Sequence, residues 1–114
     1  MLDGASYGRV FKKASRSKDK FFTVLYRENG TRNARLGLAV SKKNCRMAAR
    51  RNRLKRIVRE SFRHNKKALS GFDIVVMNQA NTHMEKNKRL FESLITHWSR
   101  IGSADDSKTA RTEG

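Results

Sequence analysis

Between Lys42 and Arg63 the chain carries ten cationic side chains against a single acid, Glu60. They are Lys42, Lys43, Arg46, Arg50, Arg51, Arg53, Lys55, Arg56, Arg59 and Arg63. Like charges one helical turn apart cost a few tenths of a kcal/mol per pair, so such a block is unfavourable in isolation. A phosphate backbone turns that cost into attraction, because the planar guanidinium fork matches phosphate oxygens two at a time. A merely solvated face would mix its signs. Asn52 lies among the arginines, and its amide both donates and accepts. It can bond a 2′-hydroxyl or a base edge, or it can bond backbone and fix the entry of a helix; the residues leave both open.

Tyr7, Phe11, Phe21 and Tyr26 form a second group. Rings beside a basic strip can stack on unpaired bases, at roughly 1–3 kcal/mol each. Packing in a core is the commoner use of such rings, and the residues alone favour it. Side chains for self-sufficient catalysis do not gather. The ten acids are scattered, and only Asp105 and Asp106 adjoin. His64, His83 and His97 have no metal-ligand spacing with Cys45 or with carboxylates. No glycine-rich phosphate loop is present. A nuclease acting alone would need clustered carboxylates to hold metal ions, and the pattern argues against one. Cys45 is the only cysteine, which rules out an internal disulfide. Basic neighbours can lower a thiol's pKa, but a small buried filler near a helix start is the expected role.

The elements that must position these groups follow from periodicity. Asp3 is a candidate N-cap for a short helix over about residues 4–13, with Tyr7, Val10, Phe11 and Ala14 on one face. Residues 15–20 are polar and basic, a loop or a short weak strand. Residues 21–26 read as a strand covered on both sides, with Phe22, Val24 and Tyr26 on one face and Phe21, Thr23 and Leu25 on the other. Glu28-Asn29-Gly30 is a turn signal. A second clear strand runs over 35–41, with Leu36, Leu38 and Val40 facing a core.

A long helix is predicted over about 46–69, with Asn44 as its candidate cap. At ~100° per residue, Leu54, Ile57, Val58, Ser61 and Phe62 form its inner stripe. Asn52, Arg56, Arg59 and Arg63 fall on the opposite side. Ser70-Gly71 closes the helix, residues 72–77 read as a buried strand, and a last helix is expected over about 84–101. Its stripe is Leu90, Phe91, Leu94, Ile95, Trp98 and Ile101. Residues 102–114 read as a disordered polar tail. A helix between two strands implies a crossover and a parallel pair, hence a small two-layer α+β domain.

Composition bounds the partner. The chain has 114 residues, 37% of them hydrophobic, enough for one domain and one modest core. A net charge of +17 destabilises a compact state by self-repulsion unless a polyanion answers it. Charge alone does not choose between RNA, DNA and anionic lipid. No apolar run approaches the roughly 18 residues that span a bilayer. The first residues also lack the layout of a signal peptide. A cytoplasmic protein with no membrane partner is expected.

Two stretches carry a family resemblance. Arg35-Leu36-Gly37-Leu38-Ala39-Val40-Ser41-Lys42-Lys43 is followed by Arg50-Arg51-Asn52-Arg53-Leu54-Lys55-Arg56-Ile57-Val58-Arg59-Glu60. Together they resemble the signature of the bacterial ribonuclease P proteins, and the similarity extends over about residues 2–101. The resemblance implies a single domain over 1–101 and an α+β sandwich in the order αβββαβα. It implies a mixed four-stranded sheet with a left-handed βαβ crossover, against the usual hand, as in a ribosomal-protein-like domain.

It further implies that Arg51, Asn52, Arg53, Lys55, Arg56 and Arg59 face a catalytic RNA and that Lys42 and Lys43 extend the contact; Arg46 and Arg50, from the same basic block, are expected to bind RNA with them. Tyr7, Phe11 and Tyr26 would line a cleft for the 5′ leader of precursor tRNA. The protein would have no catalytic residue and would bind no cofactor by itself. The RNA subunit, with Mg2+, would perform the hydrolysis, and the two would pair 1:1. The competing expectations are a structural RNA-binding protein, such as a ribosomal protein, and a membrane-active amphipathic helix. The second of these would need a stronger apolar face than the stripe at Leu54.

Overall fold

The structure, a computed structural model, describes residues 14–43, 45–79 and 82–113, and the side chains of these except 83 and 103–113. Among them the polar run after Ala14 is a true strand, β1 (Ser15–Lys18). It is followed by β2 (Phe22–Glu28) and β3 (Arg35–Ala39). Helix α1 (Ala48–His64) leads to β4 (Phe72–Asn78). A 3-10 turn at Thr82–Met84 precedes helix α2 (Asn87–Glu113). The strands form one sheet in the order β1-β2-β4-β3. β1 pairs antiparallel with β2, and β2 with β4, while β3 and β4 run parallel. A hairpin cannot join parallel neighbours, and α1 makes the crossover. The α+β class and the mixed four-stranded sheet are as expected. The expected first helix, with Asp3, Tyr7 and Phe11, and the expected cap Asn44 lie outside the described residues.

Register explains why both faces of β2 are apolar. Val24 lies opposite Val76, and Tyr26 opposite Ile74. Leu36 lies beside Ile74 on the other flank of β4. Phe22, Val24, Leu36, Ile74 and Val76 thus face the two helices, and they meet Leu54, Ile57, Val58, Phe62, Leu90, Leu94, Trp98 and Ile101 in one core. Each such side chain contributes about 1.5–3 kcal/mol on full burial. Leu25 and Val75 point the other way and form a second buried cluster, against which Ala14, Ala39 and Met77 pack.

The inner stripe of α1 is the predicted one: Leu54, Ile57, Val58, Ser61 and Phe62 are buried. Its ends differ from expectation. The helix starts at Ala48, and Met47 caps it without a side-chain bond. Instead, Arg51 Nη1 donates to the carbonyls of Cys45 (3.0 Å) and Arg46 (2.8 Å). The helix stops at His64, short of 69, because the chain must turn back to bring Leu69 into the core. Asn65 stabilises the stop, donating from its backbone N to Phe62 O and from Nδ2 to Ser61 O. Gly71 completes the reversal at φ 87°, where a Cβ would meet Thr31 O at 3.3 Å.

Helix α2 also departs from expectation. Met84 precedes it and is 70% exposed. Its buried line is Leu90, Leu94, Trp98 and Ile101, with Phe91 partly buried, while Ile95 is 52% exposed. The helical backbone runs on to Glu113, past the expected end near Ile101. Gly102 is tolerated there, with no proline in the chain to break the ladder.

Candidate nucleic-acid interface

With one side of α1 committed to the core, the other side is fixed in direction. Asn52, Lys55, Arg56, Arg59, Glu60 and Arg63 line an open groove of about 650 Å3 along it. These are successive turns of one helix, so the groove presents cations at regular intervals. Arg50, Asn52, Arg56 and Arg59 are exposed, and Lys55 is half-buried. Lys42, Lys43 and Arg46 are exposed on the connection between β3 and α1. That connection is tied down: Ser41 N donates to Asn78 Oδ1 at 2.8 Å, Lys43 N to Ser41 Oγ at 3.1 Å and Cys45 N to Ser41 O at 3.0 Å. Cys45 is buried beside it, its Sγ donating to Met47 O at 3.8 Å, in the filler role expected of it.

Two arginines of the block have work inside the protein. Arg51 holds the carbonyls before the helix, as above. Arg53 Nη1 donates to Asn87 Oδ1 at 2.6 Å and Nη2 to Glu85 O at 3.1 Å, tying α1 to the start of α2. Nothing in the spacing of the block separates these two from their neighbours. The only sequence signal for Arg51 was the lack of a Ser, Thr or Asp at Met47.

Tyr26 does not lie on the sheet face away from the helices. Its ring meets Phe72 edge-on, with centroids 6.0 Å apart, and packs against the helix-side core. The alternation of β2 puts Leu25 on the opposite face instead. Tyr26 and the outer sheet face are therefore not brought together, and Tyr7 and Phe11 lie outside the described residues.

A polar network went unrecognised in the spacing. His97 is fully buried on α2, and its Nδ1 is 2.6 Å from Ser17 Oγ of β1. Arg100 Nη1 donates to that same hydroxyl at 3.1 Å, which leaves the Ser17 proton for His97. His97 Nε2 stands 3.3 Å from Asp19 Oδ2, near enough for attraction but without hydrogen-bond geometry. Asp19 accepts from the Ser93 hydroxyl and, through Oδ1, from the amides of Phe21 and Phe22, both at 2.8 Å. Burial holds the His97 imidazole below its ordinary value, against the opposing pull of Asp19. Burial pushes Asp19 up, but the bonds from Ser93 and the two amides, with His97 nearby, bring it below the usual carboxylate value. Although Ser, His and Asp follow one another here, Ser17 and His97 are sealed from solvent and no substrate reaches them. The network binds α2 to the β1–β2 turn.

Among the described residues no three His, Cys, Asp or Glu side chains gather so as to hold a metal ion. No helix among them is long and apolar enough to cross a membrane. Fold and surface together define a small, strongly basic α+β domain that presents one cationic helix.

Known proteins share this arrangement. The family model described as Ribonuclease P matches residues 1–102. A ribonuclease P protein component of Pseudomonas aeruginosa is 45% identical over 102 residues, covering 89% of this chain and 76% of its own. The solved RNase P protein of Thermotoga maritima is 37% identical with a TM-score of 0.76, covering 83% of this chain and 90% of its own. That of Staphylococcus aureus is 27% identical with a TM-score of 0.77, covering 89% and 92%. The chain belongs to the ribonuclease P protein family, the protein components of a tRNA-processing ribonucleoprotein.

Proposed function

We propose that this chain binds the catalytic RNA of ribonuclease P through the outer face of α1 and supports removal of the 5′ leader from precursor tRNA. The observation that carries the reading is the gathering of Asn52, Arg56 and Arg59 opposite the buried stripe of α1, with Lys55 on its flank, along one open groove. A rigid helix with regular cations suits a folded phosphate backbone, which it meets without rearranging. Lys42, Lys43 and Arg46 extend the contact along the tied connection. Bond cleavage falls to the RNA and its Mg2+; the protein screens phosphates and adds affinity, one copy per RNA, in the cytoplasm.

The leader lies in a cleft between the sheet and the expected first helix, with Tyr7 and Phe11 as its aromatic contacts. Tyr26, on the side of α1 and α2, takes no part in it. The test is reconstitution of purified protein with a ribonuclease P RNA at low magnesium, followed by 5′ cleavage of precursor tRNA. Stimulation supports the reading, and cleavage by the protein with no RNA present would sink it. Phe11→Ala should weaken leader-bearing precursor more than mature tRNA, and equal loss for both removes Phe11 from the leader site. Copurification with ribosomal subunits in place of a tRNA-processing RNA would favour a structural role.

A further inference from the structure

The tether from Arg53 to Asn87 and Glu85 sets the start of α2 beside α1 and opens a second groove there, of about 530 Å3. Arg50, Arg53, Met84, Glu85 and Lys86 line it. Met84 offers an exposed apolar surface at its edge. Past Glu85 the cationic character continues onto another part of the fold. Arg89, within 3.7 Å of Glu85, places its guanidinium carbon 5.5 Å from the centroid of the Phe21 ring. Lys20 Nζ stands 5.3 Å from the same centroid. Both distances suit cation–π attraction. One ring thus steadies two long side chains that would otherwise sample many rotamers.

The backbone that carries the ring is itself anchored. Phe21 O accepts from Gln79 N at 3.0 Å and from the Thr82 hydroxyl. Phe21 N is held by Asp19. The first turn of α2 carries no acid. Glu85 meets Arg89, and Asp19 is occupied by its own network.

We propose that Lys86, Arg89 and Lys20, with Phe21 as their support, form a second track for the sugar–phosphate backbone of an RNA strand, which meets the first turn of α1 at Arg50 across the second groove. The inference rests on the reading of α1 as an RNA-binding face. It adds a contact that α1 alone cannot make, because these cations come from the β1–β2 turn, from the residue before α2 and from α2 itself. Several cations spread over separate elements match a strand of successive phosphates and exceed what one free phosphate can occupy. The track is sequence-independent, since nothing in it is placed to read base edges.

The test measures binding of the full-length protein to ribonuclease P catalytic RNA across a salt series, alone and then with precursor tRNA. Three double variants are compared: Lys20→Ala/Arg89→Ala in the track, Arg56→Ala/Arg59→Ala on α1, and Lys66→Ala/Lys67→Ala as a charge-matched control on the exposed turn after α1. Each lost phosphate contact should make the slope of log K against log salt shallower by about 0.7–0.9. The track pair should therefore flatten it by roughly 1.5 beyond the control. A loss with catalytic RNA alone gives the strand to that RNA, and a loss only with precursor tRNA gives it to the substrate. A track pair that behaves like the control in both arms overturns the proposal. If the α1 pair also matches the control, the reading of α1 fails with it; if the α1 pair alone flattens the slope, only the track is lost.

Discussion

The outer groove of α1 and the network around His97 are built from similar polar chemistry and meet opposite fates. In the groove, cations face outward with Glu60 as the one acid among the lining residues. Around His97, serine, histidine, aspartate and arginine close on one another, with only the Nε2 of the ring held by charge attraction to Asp19 in place of a hydrogen bond. Polar groups that satisfy each other inside a protein fix its shape, whereas those left facing solvent remain able to bind something else. The sequence pattern pointed to the first region and was silent on the second, because an outward cluster is contiguous in the chain while an inward one is assembled from residues such as Ser17 and His97, far apart in it.

The contrast can be broken most sharply at Asp19. Asp19→Ala removes the acceptor for two backbone amides and the Ser93 hydroxyl and strips His97 of its neighbouring charge. Bonds to a charged acceptor contribute about 1.5–3 kcal/mol each net of water, and water reaching the partly exposed site recovers part of this, so a loss of at least about 3 kcal/mol in urea denaturation is expected. In the molecules that remain folded, the α1 groove should keep its share of RNA binding: Arg56→Ala should flatten the salt dependence by the same amount in this background as in the native one.

A smaller effect separates two neighbours within the cationic block. Arg53→Ala should cost about 1–2 kcal/mol of stability through its two lost bonds to the start of α2. Arg56→Ala should stay within about 0.5 kcal/mol while flattening the salt dependence of RNA binding by about 0.7–0.9. Equal stability losses in the two variants would erase the distinction between inward and outward arginines.

The mildest expectation concerns acidity. His97 in the folded protein takes its proton at lower pH than in the unfolded chain, where the ordinary value is 6.5. Below that pH the unfolded chain binds more protons, so stability is full above it and declines as pH falls toward the folded value. Asp19 adds a second decline only below 3.8, its ordinary value. The urea midpoint followed from pH 8 to pH 5 should drop in the native protein and flatten in His97→Gln.

Much of the fold was readable because apolar periodicity survives in a small core. The stripe from Leu54 to Phe62, the two-sided burial of β2 and the parallel crossover all follow from spacing and element order. The ends of α1 were not readable, since Leu69 continues the apolar pattern while lying past the turn, and only the tertiary core shows why the chain reverses. The side chains facing outward on α1 were legible as a face, but the inward turn of Arg51 and Arg53 depends on carbonyls and an asparagine supplied by other segments. Tyr26 shows the reverse case: alternation along β2 already put it with Phe22 and Val24, and the ring stayed on that side.

The middle position of β4 carries a consequence for synthesis. β2 and β3 are made early but never touch as partners; the second edge of β2, beyond its pairing with β1, and the whole of β3 must wait for β4, which is translated only after the whole of α1. Until then two strands present unpaired edges on a nascent chain whose cationic helix is already complete. The sheet therefore closes in a late, long-range step, and an early encounter between that helix and RNA would come before the domain has a finished floor to hold it.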